Sequence, residues 1–424
     1  MPLLSSAAAA ERETDGGEPA QGARVALWSA CAIAPRRARP SSWIKAQVRP
    51  VESLDMSVRD VIIIGAGPSG LAAAIAAKQH GLDYQVLEKG VLVNSIYHFP
   101  PHMVFFTTPE LLEIGGLPFV SPYDKPTRGE ALTYYRKVVD AFDLQIGFDE
   151  KVVNVRRDED EHAFELDTVT SRGVRRVRLA RVVVFAIGYY DHPARLGIPG
   201  EDLPHVSHYF RDPHAHFRQR VVIVGGGNSA AEAALLLYRS GADVTVVHRH
   251  ATLKRTIKYW VRPDIENRIK EGSIRARFNA SLAEIRPTSV VIRTAGDTSP
   301  DDEAARQREL FADADASHEP ASVLAAAPAA GADGVEEIPA DAVYLLTGYR
   351  ADADLLCRAG VRLNDREAPI YDRETFETNV PNIFVAGGTV AGKDTGTVFI
   401  ENGRFHGQKI IEVVASRMAP ARGA

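Results

Sequence analysis

The chain has 424 residues and a formal net charge of −5, with 45% hydrophobic and 25% charged residues. That length allows two or three domains, and the balance is that of a globular protein without the basic stripe of a nucleic-acid-binding one. The apolar runs are too short for a membrane-spanning helix of ~20 residues.

Two cysteines, Cys31 and Cys357, stand far apart in the chain. Their spacing excludes a disulfide framework and a cysteine-based zinc site, and it fits a reducing, cytoplasmic location. Cys357 falls in a predicted helix, where a free cysteine commonly behaves as a small buried hydrophobe.

Residues 1–56 are rich in Ala, Arg, Pro and Ser and show no helical or strand periodicity. Basic residues follow the apolar stretch instead of preceding it, which is the reverse of a secretory signal peptide. The composition predicts a disordered extension, or translation from a start upstream of a natural one at Met56.

A regular pattern begins at Arg59 with DVIIIGAGPSGLAAAIAAKQHGLDYQVLEKG. It predicts a buried parallel strand, a glycine turn, a helix from Ser69 to His80 and a strand over Tyr84–Leu87. In a G-x-G-x-x-G turn the glycines permit a tight bend, close approach of a pyrophosphate and close helix packing, while the helix N-terminus faces the phosphates. Glu88 follows the second strand, where a carboxylate can bind ribose hydroxyls.

The same pattern returns in RVVIVGGGNSAAEAALLLYRSGADVTVVHRH. In its turn, Gly225 and Gly227 stand at the first two glycine positions of the motif. Ala230 stands at the third, where alanine is tolerated. His248 and then Arg249 stand where the first unit has its acid. A guanidinium binds a 2′-phosphate that a carboxylate would repel, and Lys254 and Arg255 are close enough to assist. The second unit is therefore predicted to prefer NADPH to NADH.

Two units with opposite charge at the strand tip predict two different dinucleotides, FAD in the first and NADPH in the second. The sequence therefore predicts an α/β fold of two Rossmann-like, three-layer domains, with the NADPH domain inserted into a discontinuous FAD domain. The predicted FAD domain covers about 57–190 and 340–424, and the NADPH domain about 191–339. An acidic stretch rich in Ala and Pro, about 295–337, predicts a flexible insertion, with a short buried strand at Ala321–Ala327 as a less favoured alternative.

Several motifs resemble the flavoprotein superfamily with two dinucleotide sites that includes thioredoxin reductase, namely GAGPSG, AIGYYDHP, GGGNSAAE with VVHR, and NIFVAGG. Longer strings are most similar to the bacillithiol disulfide reductase family: NSIYHFP, FFTTPELLEIGGLPF, KYWVRPDIENRIKEGSI and GTVFIENGRFHG. The resemblance spans about residues 57–415. It implies that NADPH reduces a low-molecular-weight disulfide through FAD.

The expected ligands of each dinucleotide combine the turn motifs with this resemblance. For FAD they are Gly65, Gly67, Pro68, Ser69, Gly70, Glu88, Lys89, Gly188, Gly387, Gly388, Thr397 and Val398. For NADPH they are Gly225, Gly227, Asn228, Ser229, His248, Arg249, Lys254 and Arg255.

Two departures from these relatives affect the chemistry. Family members often carry cysteine where this chain has Ser69, and thioredoxin reductases have aspartate after the glycine where this chain has Gly387-Gly388. No CxxC pair is present, so electrons are expected to pass from the flavin directly to an external acceptor. A helix predicted from about Thr397 would present the N–H groups of Val398 and Phe399 to the negative charge of the reduced flavin.

An aromatic segment offers candidate catalytic residues. Tyr97 and His98 are expected beside the flavin, with His98 as an acid for a leaving thiolate, and the alternative is an ordinary aromatic core. Further candidates to line the isoalloxazine are Phe99, Phe105, Phe106 and Thr107. Weaker candidates are His406, and Lys258, Tyr259 and Trp260 at the domain interface or the nicotinamide.

Three other functions stay open from the sequence. A ferredoxin- or flavodoxin-type NADP reductase or a diaphorase also lacks a CxxC, whereas a flavin monooxygenase is disfavoured because no further motif supports it. A flavin-based redox sensor would bind NADPH without efficient turnover. The predicted partner is a small-molecule disulfide, with no nucleic acid and no membrane, and a homodimer or higher homo-oligomer is common for such folds.

Overall fold

The computed structural model describes residues 57–158, 162–294 and 334–418. The predicted N-terminal extension and the alternative strand at Ala321–Ala327 lie outside the described residues, as does most of the predicted insertion. In the ranges that are described, no helix is long and apolar enough to cross a membrane.

The first βαβ unit forms at the predicted place. Its elements are β1 (Val58–Ile64), α1 (Pro68–Gln79) and β2 (Tyr84–Leu87). The helix begins one residue before the predicted Ser69 because Pro68, whose fixed φ suits the first helical position, occupies that position. It ends at Gln79, shortly before Gly81, whose φ of +69° reverses the chain.

The first sheet continues with further helices and an antiparallel meander. These elements are α2 (Asn94–His98), α3 (Arg128–Phe142), β3 (Ile146–Gly147), β4 (Lys151–Asp158), β5 (Ala163–Val169) and β6 (Arg175–Phe185). A capping box between Thr127 and Glu130 satisfies N–H groups at the start of α3. The strand order is β3-β2-β1-β6-β5-β4, so β1 lies centrally between two parallel neighbours.

The second sheet is parallel and has its own antiparallel attachment. Its part of the chain contains β7 (Val206–Ser207), β8 (Arg220–Val224), α4 (Asn228–Arg239), β9 (Asp243–Val247), α5 (Arg262–Lys270), β10 (Arg275–Arg277), β11 (Ala280–Arg286), β12 (Ser289–Thr294), β13 (Gly334–Pro339) and β14 (Ala342–Leu345). The parallel sheet has the order β10-β9-β8-β14-β7, and β11, β12 and β13 form a separate antiparallel sheet.

Two sequence expectations about this region need correction. Residues 334–337 belong to β13, which pairs with β12 through six register positions, from Thr294↔Gly334 to Ser289↔Pro339, and are therefore not part of a flexible insertion. Residues 342–345 form β14, which pairs with β8, so this stretch extends the second sheet. The predicted domain boundary at residue 340 would instead have placed it in the first sheet. In both cases the difference arises from pairing with a strand that is distant in sequence, which local sequence patterns do not reveal.

The chain then returns to the first sheet. The returning elements are α6 (Ala353–Arg358), β15 (Ile383–Val385) and α7 (Ile400–Met418). β15 pairs with the last residues of β6, and α7 packs so closely on α1 that a Cβ on Gly407 would lie 2.5 Å from the Ala73 nitrogen. Cys357 is on α6 as predicted, but it is exposed and not buried.

The parallel strands of both sheets are covered on both faces, as a three-layer α/β fold requires. In β1, Val61 and Ile63 join one hydrophobic cluster, whereas Ile62 and Ile64 join another. The same alternation occurs in β8, where Val221 and Val222 belong to different clusters. The α/β fold with two Rossmann-like units is therefore confirmed.

Candidate functional site

A cleft lies at the carboxyl ends of β1, β2 and β6, where parallel sheets commonly bind ligands. Its walls come from the first glycine turn, the tip of β2, α2, the segment after β6 and the entry to α7. The structure brings together these predicted residues along it: Gly65, Gly67, Pro68, Ser69, Glu88, Lys89, Gly188, Gly388 and Val398.

The three glycines of the first turn have distinct surroundings. Gly65 has a φ of +109°, and a Cβ there would lie 2.4 Å from the Ala186 carbonyl oxygen. A Cβ on Gly70 would lie 2.0 Å from the Gly65 oxygen, so this position fixes how closely α1 packs. No atom of the described residues lies within 4 Å of a Cβ on Gly67. The turn is therefore open only where a pyrophosphate would approach the N-terminus of α1.

Glu88 is almost fully buried, with 5% of its surface exposed. Its Oε2 accepts the Ala66 N–H at 2.9 Å and its Oε1 accepts the Gly90 N–H at 2.8 Å. Burial raises the pKa of this carboxyl group, and the two backbone hydrogen bonds oppose the rise. Because each carboxylate oxygen has a second lone pair, Glu88 is held in place and can still accept from ribose hydroxyls.

An ion pair also borders this cleft. Lys89 Nζ lies 2.9 Å from Asp191 Oδ2, and both residues line the cleft. Asp191 follows the β6 strand, so the pair links the tips of β2 and β6. Lys89 is therefore engaged by a carboxylate in this structure.

The loop Gly387-Gly388 is fixed by its neighbours. A Cβ on Gly387 would lie 2.3 Å from the Ser69 Oγ, and one on Gly388 would lie 2.7 Å from the Tyr189 ring. The Gly387 N–H donates to His406 Nδ1 at 3.1 Å, and burial lowers the pKa of His406 to about 4. His406 is thus a neutral anchor beneath the loop and does not line the cleft.

The entry to α7 differs from its predicted geometry. The helix begins at Ile400 and not at Thr397. The Phe399 N–H donates to Asn402 Oδ1 at 2.8 Å, because the asparagine side chain caps this turn. The Phe399 N–H is therefore engaged by Asn402 in this structure, although Val398 and Phe399 both line the cleft. Donation from these N–H groups to the flavin stays a prediction.

Of the aromatic segment, Phe99 lines the cleft and Tyr97 and His98 do not. His98 Nδ1 lies 2.9 Å from the Asn94 carbonyl oxygen, which keeps the ring against its own helix. Tyr97 is 49% exposed and lies under the guanidinium of Arg128. A catalytic role for Tyr97 or His98 stays a prediction.

The second glycine turn is built like the first. Gly225 has a φ of +146°, and a Cβ there would lie 2.5 Å from the Leu346 oxygen. The His248 ring lies over Gly226, and the Lys254 side chain lies over Gly227. Arg249 is exposed just beyond β9. Asn228 and Ser229 are the first residues of α4, and Arg255 is exposed nearby.

Sequence reasoning missed other residues that line the cleft, which lie on α2, at the start of β4, after β6 and at α6. NSIYHFP contains three of them and AIGYYDHP contains four, so these two motifs were the local signals. The missed residues are Asn94, Ser95, Ile96, Glu150, Lys151, Val152, Tyr189, Tyr190, Asp191, His192, Asp352 and Leu355. No cluster of metal-ligating side chains occurs in the described part of the chain.

Comparisons with known proteins agree with this architecture. The family described as pyridine nucleotide-disulphide oxidoreductase matches residues 62–308 and 328–387. Bacilliredoxin reductase Bdr of Bacillus subtilis (strain 168) is 38% identical over 358 residues, covering 84% of this chain and 97% of the relative. Ferredoxin–NADP reductase of Ignicoccus hospitalis is 29% identical over 212 residues, which are 49% of this chain and 63% of that protein.

A solved structure is similar over the same span. The bacillithiol disulfide reductase Bdr (YpdA) from Bacillus cereus is 36% identical, with a TM-score of 0.74 over 85% of this chain and 100% of that one. These matches, together with the two glycine turns, show that this protein binds a flavin and a nicotinamide nucleotide. The chain therefore belongs to the pyridine nucleotide-disulphide oxidoreductase family, as a nicotinamide-nucleotide-dependent flavin oxidoreductase of the bacillithiol disulfide reductase group.

Proposed function

We propose that this enzyme uses NADPH and bound FAD to reduce a low-molecular-weight disulfide such as bacillithiol disulfide. The observation that carries the proposal is the pair of glycine turns with opposite chemistry, one ending in buried Glu88 and the other in exposed Arg249. The names of the similar proteins, a bacilliredoxin reductase and a bacillithiol disulfide reductase, support the choice of acceptor.

The residues of the first cleft fit FAD. The open face of Gly67 and the N-terminus of α1 would receive the pyrophosphate, and Glu88 would accept from the ribose attached to adenine. Phe99 and Val398 lie along the same cleft and would contact the isoalloxazine end. When bound, the flavin supplies two-electron chemistry between a nicotinamide and a disulfide.

The residues of the second turn fit NADPH. Arg249 offers a planar guanidinium for the 2′-phosphate, and Lys254 lies over Gly227, where the pyrophosphate of a dinucleotide would bind. His248 is 5% exposed, and burial lowers its pKa to about 4. It is therefore neutral at physiological pH and contributes shape and hydrogen bonding but no positive charge.

The protein's own sulfur chemistry is limited. In the ranges that the structure describes, Cys357 is the free cysteine, and it lies on the surface of α6. An exposed lone thiol cannot form the dithiol that thioredoxin-type reduction needs. The acceptor disulfide would therefore bring both sulfurs to the cleft, and the protein would orient it and exclude water.

The experiment that tests this proposal follows NADPH oxidation without oxygen by the FAD-loaded protein, with and without bacillithiol disulfide. We expect turnover that depends on the disulfide. Bleaching of the flavin without turnover would refute the disulfide acceptor while keeping the reaction with NADPH. A parallel assay with ferredoxin and flavodoxin tests the alternative favoured by the partial match to ferredoxin–NADP reductase. Bacilliredoxin in a third assay shows whether a protein disulfide is preferred.

A further inference from the structure

Lys258 is a buried lysine between the two sheet domains. Only 7% of its side chain is exposed. Its Nζ lies 2.7 Å from Glu232 Oε1 on α4 and donates to the Val104 carbonyl oxygen at 2.8 Å. Glu232 belongs to the second domain, whereas Val104 is tied to the first through its bridge with Thr127. One ammonium group thus bonds to both domains.

Because the Lys258 ammonium group is buried, it favours the domain arrangement in which both of its acceptors are within reach. An ammonium group taken out of water is strongly unfavourable unless it is paired and hydrogen-bonded. Glu232 alone would leave part of the donor capacity of Lys258 unsatisfied, because an ammonium has three N–H groups. The Val104 oxygen supplies a further acceptor only when the domains are arranged as they are here. The lysine therefore stabilises this arrangement over others.

Lys258 is also connected to the second glycine turn. We call residues 253–261 the strap. Its Lys254 N–H donates to the Gly226 oxygen at 2.9 Å, and its Lys258 N–H donates to the side chain of Asn228, the first residue of α4, at 2.8 Å. The strap therefore runs from the floor of the nucleotide turn to the contact with Val104.

A second contact crosses the same interface and differs in kind. Phe106 of the first domain stacks on Trp260 of the strap with ring centroids 5.9 Å apart. Lys125 Nζ lies 5.7 Å from the Phe106 ring and 5.8 Å from the Trp260 ring. Its hydrogen bond, however, is to the Phe106 oxygen within its own domain, at 2.7 Å. Lys125 is thus a matched lysine that makes no hydrogen bond between the domains.

We propose that Lys258 is a positioning residue that holds the nicotinamide-nucleotide domain in register with the flavin cleft. This inference rests on the proposed function for its kinetic consequence, but its structural part is independent of it. Lys258 acts through Val104 and the strap, and it is not among the residues that line the flavin cleft. Its removal should lower the rate at which NADPH bleaches the flavin while leaving NADPH affinity unchanged, since the turn and Arg249 stay intact.

The kinetic test compares four variants by anaerobic stopped-flow mixing with NADPH: Lys258→Met, Lys258→Arg, Glu232→Gln and the control Lys125→Met. We expect the limiting rate of bleaching to fall by about tenfold or more in Lys258→Met, since small misplacements of reacting groups can cost ~100-fold. The apparent dissociation constant of NADPH should not change. Lys258→Arg should recover most of the rate, and Lys125→Met should match the wild type. An unchanged or faster limiting rate in Lys258→Met, or an equal loss in Lys125→Met, overturns the proposal.

A second readout does not depend on any reaction. Hydrogen exchange should become faster in residues 103–107 and in residues 257–261 of the strap in Lys258→Met. In Lys125→Met any increase should be confined to residues 103–107, because Lys125 bonds to the Phe106 oxygen of its own domain. If Lys258→Met does not fold, Glu232→Gln, which keeps an acceptor but removes the charge, should show the same increase to a smaller extent. Unchanged exchange in both segments refutes the positioning role. Wild-type protein that NADPH does not bleach would refute the proposed function, and hydrogen exchange alone would then decide the role of Lys258.

Discussion

Glu88 and His248 occupy corresponding places in two copies of the same βαβ unit, yet each meets its glycine turn differently. Glu88 accepts the backbone N–H of Ala66 at 2.9 Å. His248 instead lies flat over Gly226, where a Cβ would be 2.3 Å from its Cε1. At Ala66 the first turn therefore needs only a backbone N–H, and a side chain is tolerated. At the equivalent Gly226 the second turn needs glycine, because the His248 ring occupies the space of a Cβ.

This difference separates the two sites by charge. Glu88 is a buried acid held by backbone donors, which suits neutral ribose hydroxyls. His248 is kept uncharged by burial, so the positive charge of the second site comes from Arg249 and Lys254 beside it. We accordingly expect a ligand with an extra phosphate to bind preferentially at the second site.

The contrast between Gly67 and Gly70 gives the first prediction. Gly67→Ala should fold normally, because its φ of −77° suits alanine and no atom in the described part of the chain lies within 4 Å of the new Cβ. It should still raise the FAD dissociation constant about tenfold, as a steric cost of ~1–3 kcal/mol implies. Flavin fluorescence titration measures this change.

Gly70→Ala is the matched variant. Its Cβ would lie 2.0 Å from the Gly65 oxygen, so α1 must move and the flavin-free protein should lose stability in thermal unfolding. If Gly67→Ala binds FAD as tightly as wild type, the pyrophosphate does not approach this turn.

The second prediction concerns nucleotide preference. Arg249→Ala should raise KM for NADPH about tenfold or more, because a hydrogen bond to a charged group contributes about 1.5–3 kcal/mol. KM for NADH should change little, because NADH lacks the 2′-phosphate. Steady-state kinetics with both nucleotides measure the ratio. A similar increase for both would remove Arg249 from the 2′-phosphate site.

The third prediction concerns the absent thiol. The Ser69 side chain fits into a narrow slot beside Gly387 and Gly403. A Cβ added to Gly403 would lie 3.3 Å from the Ser69 Oγ. Ser69→Cys should lower the melting temperature, because the larger sulfur strains this slot by ~1–3 kcal/mol. Disulfide-dependent turnover should not change, since electrons pass without a protein thiol. Ser69→Ala is the control, and a rate increase seen only with cysteine would show that a thiol here takes part.

Sequence reasoning succeeded where the determinants are local. The two glycine turns, their helices and the strand-end residues Glu88 and Arg249 are fixed by short-range patterns, and the structure contains both βαβ units at those places. The boundaries of α1 differ by one residue at each end because Pro68 and Gly81 set them.

The remaining differences come from contacts between distant residues. The hydrogen bond from Lys258 to Val104 joins residues 154 positions apart, and no periodicity in either segment encodes it. The pairing of β14 with β8 likewise brings Leu345 beside Val224. Such pairings depend on how the two sheets share the chain, so the sequence alone could indicate an interface near Lys258 but not its partner.

The last prediction is a pH dependence that originates beneath the flavin loop. The pKa of His406 falls from 6.5 to about 4 because the ring is buried, and its Nδ1 accepts the Gly387 N–H. The unfolded chain therefore binds a proton more readily than the native protein, so the stability from this group is present above pH 6.5 and is lost as the pH falls toward 4.

His406→Asn keeps an acceptor near the Gly387 N–H but has no group that titrates in this range. We expect the melting temperature of the variant to fall less steeply than that of the wild type between pH 6.5 and about 4. Buried His248, whose pKa is also about 4, keeps part of the slope in both proteins. Release of FAD on acidification should shift in parallel, because His406 holds the loop that borders the cleft. Identical pH profiles for variant and wild type would mean that protonation of His406 does not contribute to the loss of stability in acid.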